Sequence, residues 1–116
     1  MAISFKLINT KLARRIKLVV ADVDGTLTTQ GDPISLPVKN AVRLLVNQGI
    51  SVGLVSGRDM NSLNSCALEL AINGPIIAEN GGQVKLSYAG AILNFSRKEI
   101  VRNAWSRLKN TFGEAG

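Results

Sequence analysis

The sequence predicts an α/β fold in which helices flank a parallel β-sheet. Three short apolar runs rich in β-branched residues are separated by segments with a helical apolar pattern. This alternation of strand and helix implies right-handed crossovers and therefore parallel strands. The chain has 116 residues, of which 46% are hydrophobic, and this is enough for one domain with its own core.

The first predicted strand covers residues 16–21 and ends at Asp22. Its apolar residues are consecutive, whereas those of a half-exposed strand would alternate, so we expect it to be buried. The next helix is predicted to begin at Ser35, a good N-cap, with Pro37 in its first turn, and to end at Gly49. Its apolar stripe consists of Val38, Ala41, Val42 and Leu45.

The second strand and helix follow directly. Residues 50–55 form the strand, and Asp59 is the expected N-cap of the helix. The apolar stripe of that helix consists of Met60, Leu63, Ala67, Leu70 and Ala71. Gly74 interrupts the chain, and residues 75–78 are predicted as the third strand.

A hairpin and a helix complete the predicted elements. Residues 83–87 and 91–95 are expected to pair. The helix is expected to begin near Ser96, because Ser96 and Glu99 have the spacing of a capping box, and to end at Gly113. Its apolar positions are Ile100, Val101, Ala104, Trp105, Leu108 and Phe112, and we expect this stripe to pack against a core or a cap domain.

Composition excludes several classes of site. The chain has no histidine, which removes the catalytic triads and zinc sites that depend on it. A single cysteine, Cys66, rules out an internal disulfide framework and favours a reducing compartment. Because no secretory signal or membrane-spanning run is evident, we expect a cytoplasmic protein without a membrane partner.

The formal net charge of +6 is concentrated at the two ends, in residues 1–17 and 97–109. Residues 1–15 form a basic extension, either an amphipathic segment or a loose tail. The few aromatic residues are not interleaved with the bases, so the pattern does not favour nucleic acid as a partner. Binding of nucleic acid or an anionic surface through the basic ends is retained as a hypothesis that predicts steep salt dependence.

Polar residues that can bind a ligand or react with it follow the first two strands. Asp22 and Asp24 end the first strand, and the turn at Gly25 allows both carboxylates to face one pocket. We expect the backbone N–H groups of Gly25 and Thr26 to face phosphate oxygens. In open α/β sheets, ligands bind at this carboxyl edge of the strands.

The second strand ends in a further group of anion-binding candidates. The Ser56 hydroxyl can donate to a phosphate, and the N–H groups of Gly57 and Arg58 open the next helix, where the helix dipole favours an anion. Carboxylates repel phosphate, so their combination with these groups indicates a divalent cation between them. Mg²⁺ suits oxygen ligands and phosphate substrates.

Three stretches resemble a known family. Residues 19–28, which contain Asp22-Val-Asp24-Gly-Thr, resemble the first motif of the haloacid dehalogenase (HAD) superfamily of phosphohydrolases, and residues 55–58 resemble its second motif. Residues 72–82, followed by a hairpin, are similar to the Cof-type branch and within it to archaeal phosphoglycolate phosphatases. The resemblance covers residues 16–112 and implies a HAD-like Rossmannoid sheet.

The resemblance implies a role for each matching residue. Asp22 would attack the phosphorus and form an aspartyl-phosphate, and Asp24 would act as general acid and base. Mg²⁺ would be held by the Asp22 carboxylate and the Asp24 backbone carbonyl. The substrate would be a small phosphorylated metabolite. The residues implied to bind its phosphate or line its site are Gly25, Thr26, Ser56, Gly57, Arg58 and Asn80.

Two family features are not recognisable: a lysine motif that neutralises the phosphate, and an acidic pair that binds the metal. We therefore expect an incomplete fold without the later core strands and most of the cap. The predicted divisions are residues 1–15 as the extension, 16–82 as the first half of the core, and 83–116 as the start of a cap-like region.

Two functions remain open from the sequence. One is a Mg²⁺-dependent phosphomonoester hydrolase of the phosphoglycolate phosphatase type. The missing lysine and acidic pair would remove electrostatic stabilisation, so we expect them to reduce or abolish turnover by this short chain. The other is a non-catalytic HAD-fold binding module. In that case a second copy or a complementing chain would complete the sheet, whose first strand would otherwise have an uncovered apolar edge.

Overall fold

A computed structural model describes residues 10–29, 32–96 and 98–113 of the chain. A five-stranded sheet with the strand order β1-β2-β3-β4-β5 forms its centre. The helices and strands are, in chain order, α1 (Thr10–Arg15), β1 (Leu18–Asp22), α2 (Leu36–Asn47), β2 (Ser51–Val55), α3 (Met60–Leu70), β3 (Ile76–Ala78), β4 (Gln83–Lys85), β5 (Leu93–Asn94) and α4 (Lys98–Phe112). Residues 1–9 of the predicted basic extension lie outside the described part.

The sheet confirms the predicted α/β class. Strands β1, β2 and β3 are parallel, and β4 and β5 continue the sheet as an antiparallel pair. The predicted order of elements is therefore correct, although most strands are shorter than the apolar runs that predicted them. No helix in the described ranges combines the length and apolar content needed to cross a bilayer.

The prediction that the first strand is buried was wrong. Strand β1 alternates between exposed and half-buried residues, and the side chains of Leu18 and Val20 are 47% and 38% exposed. The physical reason is its position at the edge of the sheet, where β2 is its one described partner strand. A continuous apolar run is typical of a central strand covered on both faces, and β1 is not covered in this way.

The hydrophobic core lies between one face of the sheet and helices α2 and α3. Two successive right-handed crossovers in the same direction place both helices on the same face. The buried hydrophobic residues are Val23, Ile34, Val42, Val52, Leu54, Met60, Leu63, Ala67, Leu70, Ile72, Ile76 and Ala78. Ala41 and Ala71, which were predicted in the helix stripes, are exposed instead.

Helices α2 and α3 begin where their capping residues predict. Ser35 is the N-cap of α2, although its side chain makes no capping hydrogen bond. Asp59 caps α3, and its carboxylate accepts a hydrogen bond of 2.7 Å from the N–H of Ser62. This cap satisfies one of the free N–H groups of the first helical turn.

Glycine is required where the chain enters β3. The N–H of Gly74 donates to the carbonyl of Val52 at 3.0 Å, so the two backbones are in direct contact. A Cβ atom at Gly74 would lie 2.2 Å from that carbonyl oxygen, and one at Gly53 would lie 2.3 Å from the carbonyl oxygen of Pro75. Side chains at these positions would push β2 and β3 apart.

The hairpin is confirmed, and helix α4 begins at Lys98, close to the predicted start near Ser96. The Ser96 hydroxyl donates to Asn94 Oδ1 at 2.7 Å. The expected packing of Trp105 and Phe112 is absent from the described part of the chain. Every side chain of α4 that can be described is exposed, because no other described element covers its apolar stripe.

We expect Leu63→Ala to lower the free energy of unfolding by about 2–5 kcal/mol, because it removes a side chain with no exposed surface from the core. Leu68→Ala is the matched control on the same helix. Leu68 is 69% exposed, and its replacement should cost less than about 0.5 kcal/mol. Denaturant unfolding of both variants measures the difference, and equal losses would contradict the assigned core face of α3.

Candidate active site

The site is built on the carboxyl ends of β1 and β2, which are adjacent because Asp22 pairs with Val55. After β1 the chain makes a tight loop around Val23, which is completely buried. The Val23 carbonyl accepts hydrogen bonds from the N–H groups of Thr26, Leu27 and Thr28 at 3.2, 2.9 and 3.1 Å. This compact loop presents Asp22 and Asp24, both exposed, at the end of the sheet.

The backbone amides of this loop do not have the predicted orientation. The N–H of Gly25 donates to the carbonyl of Thr28 at 2.8 Å, and the N–H of Thr26 donates to Val23. Both groups were expected to face a phosphate. They close the loop instead, because the carbonyl oxygens of Thr28 and Val23 lie within hydrogen-bond distance and satisfy these backbone donors.

Asp22 is held by a local contact. One of its carboxylate oxygens accepts a 2.9 Å hydrogen bond from the N–H of Val23. Its second oxygen accepts no hydrogen bond from any residue within the described ranges. An exposed carboxylate with one oxygen anchored and one oxygen available has the arrangement that a nucleophile or a metal ligand needs.

The loop after β2 is anchored more deeply. Ser56 is buried, and its N–H donates to the carbonyl of Ile77 in β3 at 3.0 Å. The Ser56 hydroxyl oxygen accepts a 3.1 Å hydrogen bond from the N–H of Arg58. That oxygen uses a lone pair as the acceptor, so the hydroxyl proton remains available for a phosphate oxygen.

An ion pair joins the two loops. The guanidinium of Arg58 binds the Asp24 carboxylate through two hydrogen bonds, with Nε–Oδ2 and Nη2–Oδ1 distances of 2.8 and 2.5 Å. This hydrogen bonding lowers the pKa of Asp24 and raises that of Arg58. Burial raises the pKa of the nearby Cys66 thiol, whose Sγ is 3.8 Å from Arg58 Nη1. Cys66 is therefore not activated as a nucleophile.

A left-handed turn supports the second loop from the side of β3. Glu79 and Asn80 have φ angles of 51° and 53°, which non-glycine residues adopt at a cost. The N–H of Glu79 donates to the carbonyl of Arg58 at 2.9 Å, and that of Asn80 donates to Ser56 at 3.2 Å. A Cβ at Gly57 would lie 3.3 Å from Asn80 Oδ1, so the Asn80 side chain lies directly beside Gly57.

The structure therefore brings most of the predicted site residues to one edge of the sheet. Asp24 and Arg58 are in direct contact, and Asn80 lies against the loop that contains Ser56 and Gly57. The sequence contained no signal for the pairing of Asp24 with Arg58, because they are 34 positions apart. It also did not indicate that the backbone of the Asn80 turn supports the second loop.

Lys85 is excluded as the phosphate-neutralising lysine. It is buried on the core side of β4, where its Nζ donates to Asn64 Oδ1 at 2.8 Å and lies 4.9 Å from the centre of the Tyr88 ring. Lys85 pairs with Ile76 at the start of β3, whereas the candidate site lies beyond the other end of that strand. Its role is to tie the hairpin to α3.

The donors at the end of β1 fit a magnesium ion, although the described residues include no group of three acidic or other metal-binding side chains. The free carboxylate oxygen of Asp22 would be one ligand. The carbonyl oxygen of Asp24, which accepts none of the backbone hydrogen bonds in the described ranges, would be another. Mg²⁺ binds through one or two carboxylates and retains several water ligands, which is compatible with these two donors.

Comparisons of the sequence identify relatives. A family model for haloacid dehalogenase-like hydrolases matches residues 19–114. A protein named phosphoglycolate phosphatase from Methanoculleus marisnigri is 32% identical over 101 residues, covering 87% of this chain and 43% of the relative. One of the same name from Methanopyrus kandleri is 40% identical over 97 residues, covering 83% and 42% of the two chains.

Solved structures have the same fold. A Thermoplasma acidophilum protein superposes with a TM-score of 0.70 at 30% identity, covering 82% of this chain and 42% of that one. A haloacid dehalogenase-like hydrolase from Bacteroides thetaiotaomicron gives a TM-score of 0.69 at 28% identity, with coverage of 83% and 38%. This chain thus spans about two fifths of the length of these proteins. The family match confirms the resemblance of the Asp22 and Ser56 motifs, and the chain belongs to the haloacid dehalogenase-like hydrolase family.

Proposed function

We propose that this site performs Mg²⁺-dependent hydrolysis of a small phosphate monoester through an aspartyl-phosphate. The observation that carries the proposal is the ion pair of Asp24 with Arg58, which joins the loops after β1 and β2. This ion pair holds Asp24, the candidate general acid, at the edge of the sheet where Asp22 and the Ser56 loop also lie. The names of the relatives suggest phosphoglycolate as the substrate to test first.

Asp22 is the proposed nucleophile. The anchored oxygen of its carboxylate fixes the side chain, and the other oxygen attacks the phosphorus as the bond to the leaving alkoxide breaks. Water then attacks the aspartyl-phosphate, which releases inorganic phosphate and restores the carboxylate. A magnesium ion held by Asp22 and the Asp24 carbonyl would offset the repulsion between carboxylate and phosphate.

Asp24 is the proposed general acid and base. It protonates the leaving alkoxide and later accepts a proton from the attacking water. The ion pair with Arg58 opposes the first of these steps, because it lowers the pKa of Asp24 and keeps the carboxylate charged. We infer that an entering phosphate draws the guanidinium away from Asp24, since the dianion is the stronger partner for a two-point contact. The pKa of Asp24 then rises, and the residue can carry the proton.

The loop after β2 is the proposed phosphate cradle. The Ser56 hydroxyl and the N–H of Gly57 donate to the phosphoryl oxygens, where negative charge develops in the transition state. The turn at Asn80 positions this loop through its backbone hydrogen bond to Ser56. Gly57 has no side chain, so the phosphate can approach the backbone closely.

Asp22→Asn should reduce Mg²⁺-dependent hydrolysis of phosphoglycolate and of p-nitrophenyl phosphate to the rate measured without protein, because the amide cannot form the phospho-intermediate. Glu69→Gln is the control. It makes the same change from carboxylate to amide in a surface ion pair with Lys39, outside the candidate site, and should retain the original rate. Phosphate release measures both. Equal rates for the unmodified chain and Asp22→Asn would contradict the proposed function.

Arg58→Gln should raise the pKa of Asp24, because it removes the two hydrogen bonds that stabilise the carboxylate. The carboxyl ¹³C shift of Asp24, followed by NMR through a pH titration, measures this directly and does not require turnover. Lys39→Gln is the control, since it breaks a surface ion pair with Glu69 on other elements. An unchanged Asp24 titration in Arg58→Gln would show that the ion pair does not lower the pKa of Asp24.

A further inference from the structure

The side chain of Arg58 contacts helix α3 as well as Asp24. The Asp24 carboxylate binds the edge of the guanidinium formed by Nε and Nη2. The third nitrogen, Nη1, lies outside that edge and donates to the hydroxyl of Ser62 at 3.4 Å. Nη1 also lies 3.8 Å from the Sγ of Cys66, one helical turn further along α3. The guanidinium is therefore held by the loop after β1 and by α3 together.

The backbone of Arg58 is fixed independently of its side chain. Its N–H donates to the Ser56 hydroxyl oxygen at 3.1 Å, and its carbonyl accepts a 2.9 Å hydrogen bond from the N–H of Glu79. A guanidinium that changes its partner must therefore do so by rotation of the side chain, because the loop itself is held on both sides. The contacts of that side chain decide which directions the rotation can take.

Helix α3 restricts this rotation. The Arg58 side chain is 33% exposed, so most of its surface is covered, and Ser62 and Cys66 are its described contacts on α3. A long arginine side chain loses rotamer freedom when it binds an anion. Contacts that already hold the side chain reduce this loss and so strengthen anion binding. The α3 contacts thus prepare the guanidinium for an anionic partner.

The two serines of α3 have different partners. The N–H of Ser62 donates to the carboxylate of Asp59, the N-cap of the helix, at 2.7 Å, and its hydroxyl accepts from Arg58. The hydroxyl of Ser65 donates to the carbonyl of Asn61 at 3.2 Å, within the helix itself. Ser62 is therefore the serine of α3 that connects the helix to the candidate site.

We propose that Ser62 is a positioning residue for phosphate binding, because its hydroxyl holds the Arg58 guanidinium where it can pass from Asp24 to a phosphate. The inference rests on the proposed function, in which the phosphate replaces Asp24 as the partner of Nε and Nη2. The Ser62 contact uses Nη1 and is compatible with either partner, so it persists during the exchange. Cys66 supports the same nitrogen from the next turn of α3.

Ser62→Ala should weaken the binding of inorganic phosphate in the presence of Mg²⁺ by about two- to tenfold, the range expected for the loss of one hydrogen bond. In the hydrolysis of p-nitrophenyl phosphate the change should appear in KM and not in kcat, because Ser62 touches no reacting atom. The variant should fold, since alanine favours a helix and the Asp59 cap binds the backbone of Ser62. Titration calorimetry and steady-state kinetics measure the two effects.

Two further variants separate the hydroxyl contact from a general effect on α3. Ser65→Ala makes the same change on the same helix, at a hydroxyl whose described partner is the carbonyl of Asn61. It should bind phosphate as the unmodified chain does. Ser62→Thr keeps a hydroxyl at the position and should restore most of the affinity that Ser62→Ala loses. A threonine variant that binds as weakly as Ser62→Ala would assign the loss to packing and contradict the proposal.

The Nε–H resonance of Arg58 tests the positioning without a bound phosphate. It is the side-chain signal in a ¹H–¹⁵N spectrum that disappears in Arg58→Gln. Nε–H is bound to Asp24 only while the guanidinium is held in place. Its exchange with water should therefore be about two- to tenfold faster in Ser62→Ala, and unchanged in Ser65→Ala.

Four results would overturn the proposal. An unchanged phosphate affinity or an unchanged Nε–H exchange rate in Ser62→Ala would show that Ser62 does not act through the guanidinium. Equal losses in Ser62→Ala and Ser65→Ala would assign the effect to α3 as a whole. A fall in kcat at constant KM would place Ser62 in the chemical step. These three leave the proposed function intact, whereas the absence of phosphate binding by the unmodified chain would overturn the proposed function together with this inference.

Discussion

The parallel alignment of β1, β2 and β3 is the constraint on which the candidate site depends. Parallel strands end at the same edge of a sheet, so residues far apart in the chain meet there. Asp22 pairs with Val55, and Ser56 donates to Ile77, which brings the ends of all three strands within hydrogen-bond contact. At the other end of these strands, the close approach of Gly74 to Val52 keeps β2 and β3 together.

At that edge of the sheet, the ion pair with Arg58 determines the charge state of Asp24. Arg58 forms an ion pair with Asp24, and its positive charge offsets the repulsion between the carboxylates of Asp24 and Asp22. The same contact holds Asp24 in its charged form, and a charged carboxylate cannot donate a proton. A phosphate that competes for Arg58 would therefore couple substrate binding to the protonation of the acid. The loop at Ser56 and the turn at Asn80 are held by backbone hydrogen bonds and do not need to move for this exchange.

The sheet is covered on one face, and this asymmetry explains several departures from expectation. Consecutive apolar residues in β1 indicated a strand buried on both sides, but α2 and α3 cover only the face that contains Val52 and Leu54. The stripe of α4 is likewise apolar and exposed. Both features are explained if a further layer packs on the face of the sheet opposite α2 and α3. The relatives are more than twice as long as this chain.

Local chemistry in the sequence determined the order of the elements, the helix cap at Asp59 and the family. These features depend on neighbouring residues, since an apolar period, a capping side chain or an Asp-x-Asp-Gly-Thr motif lies within a few positions of the chain. The ion pair of Asp24 with Arg58, the burial of Lys85 against Asn64 and the exposure of β1 were decided by the tertiary structure alone. Each depends on which surfaces meet after folding, and residues distant in the chain carry no local signal of that meeting.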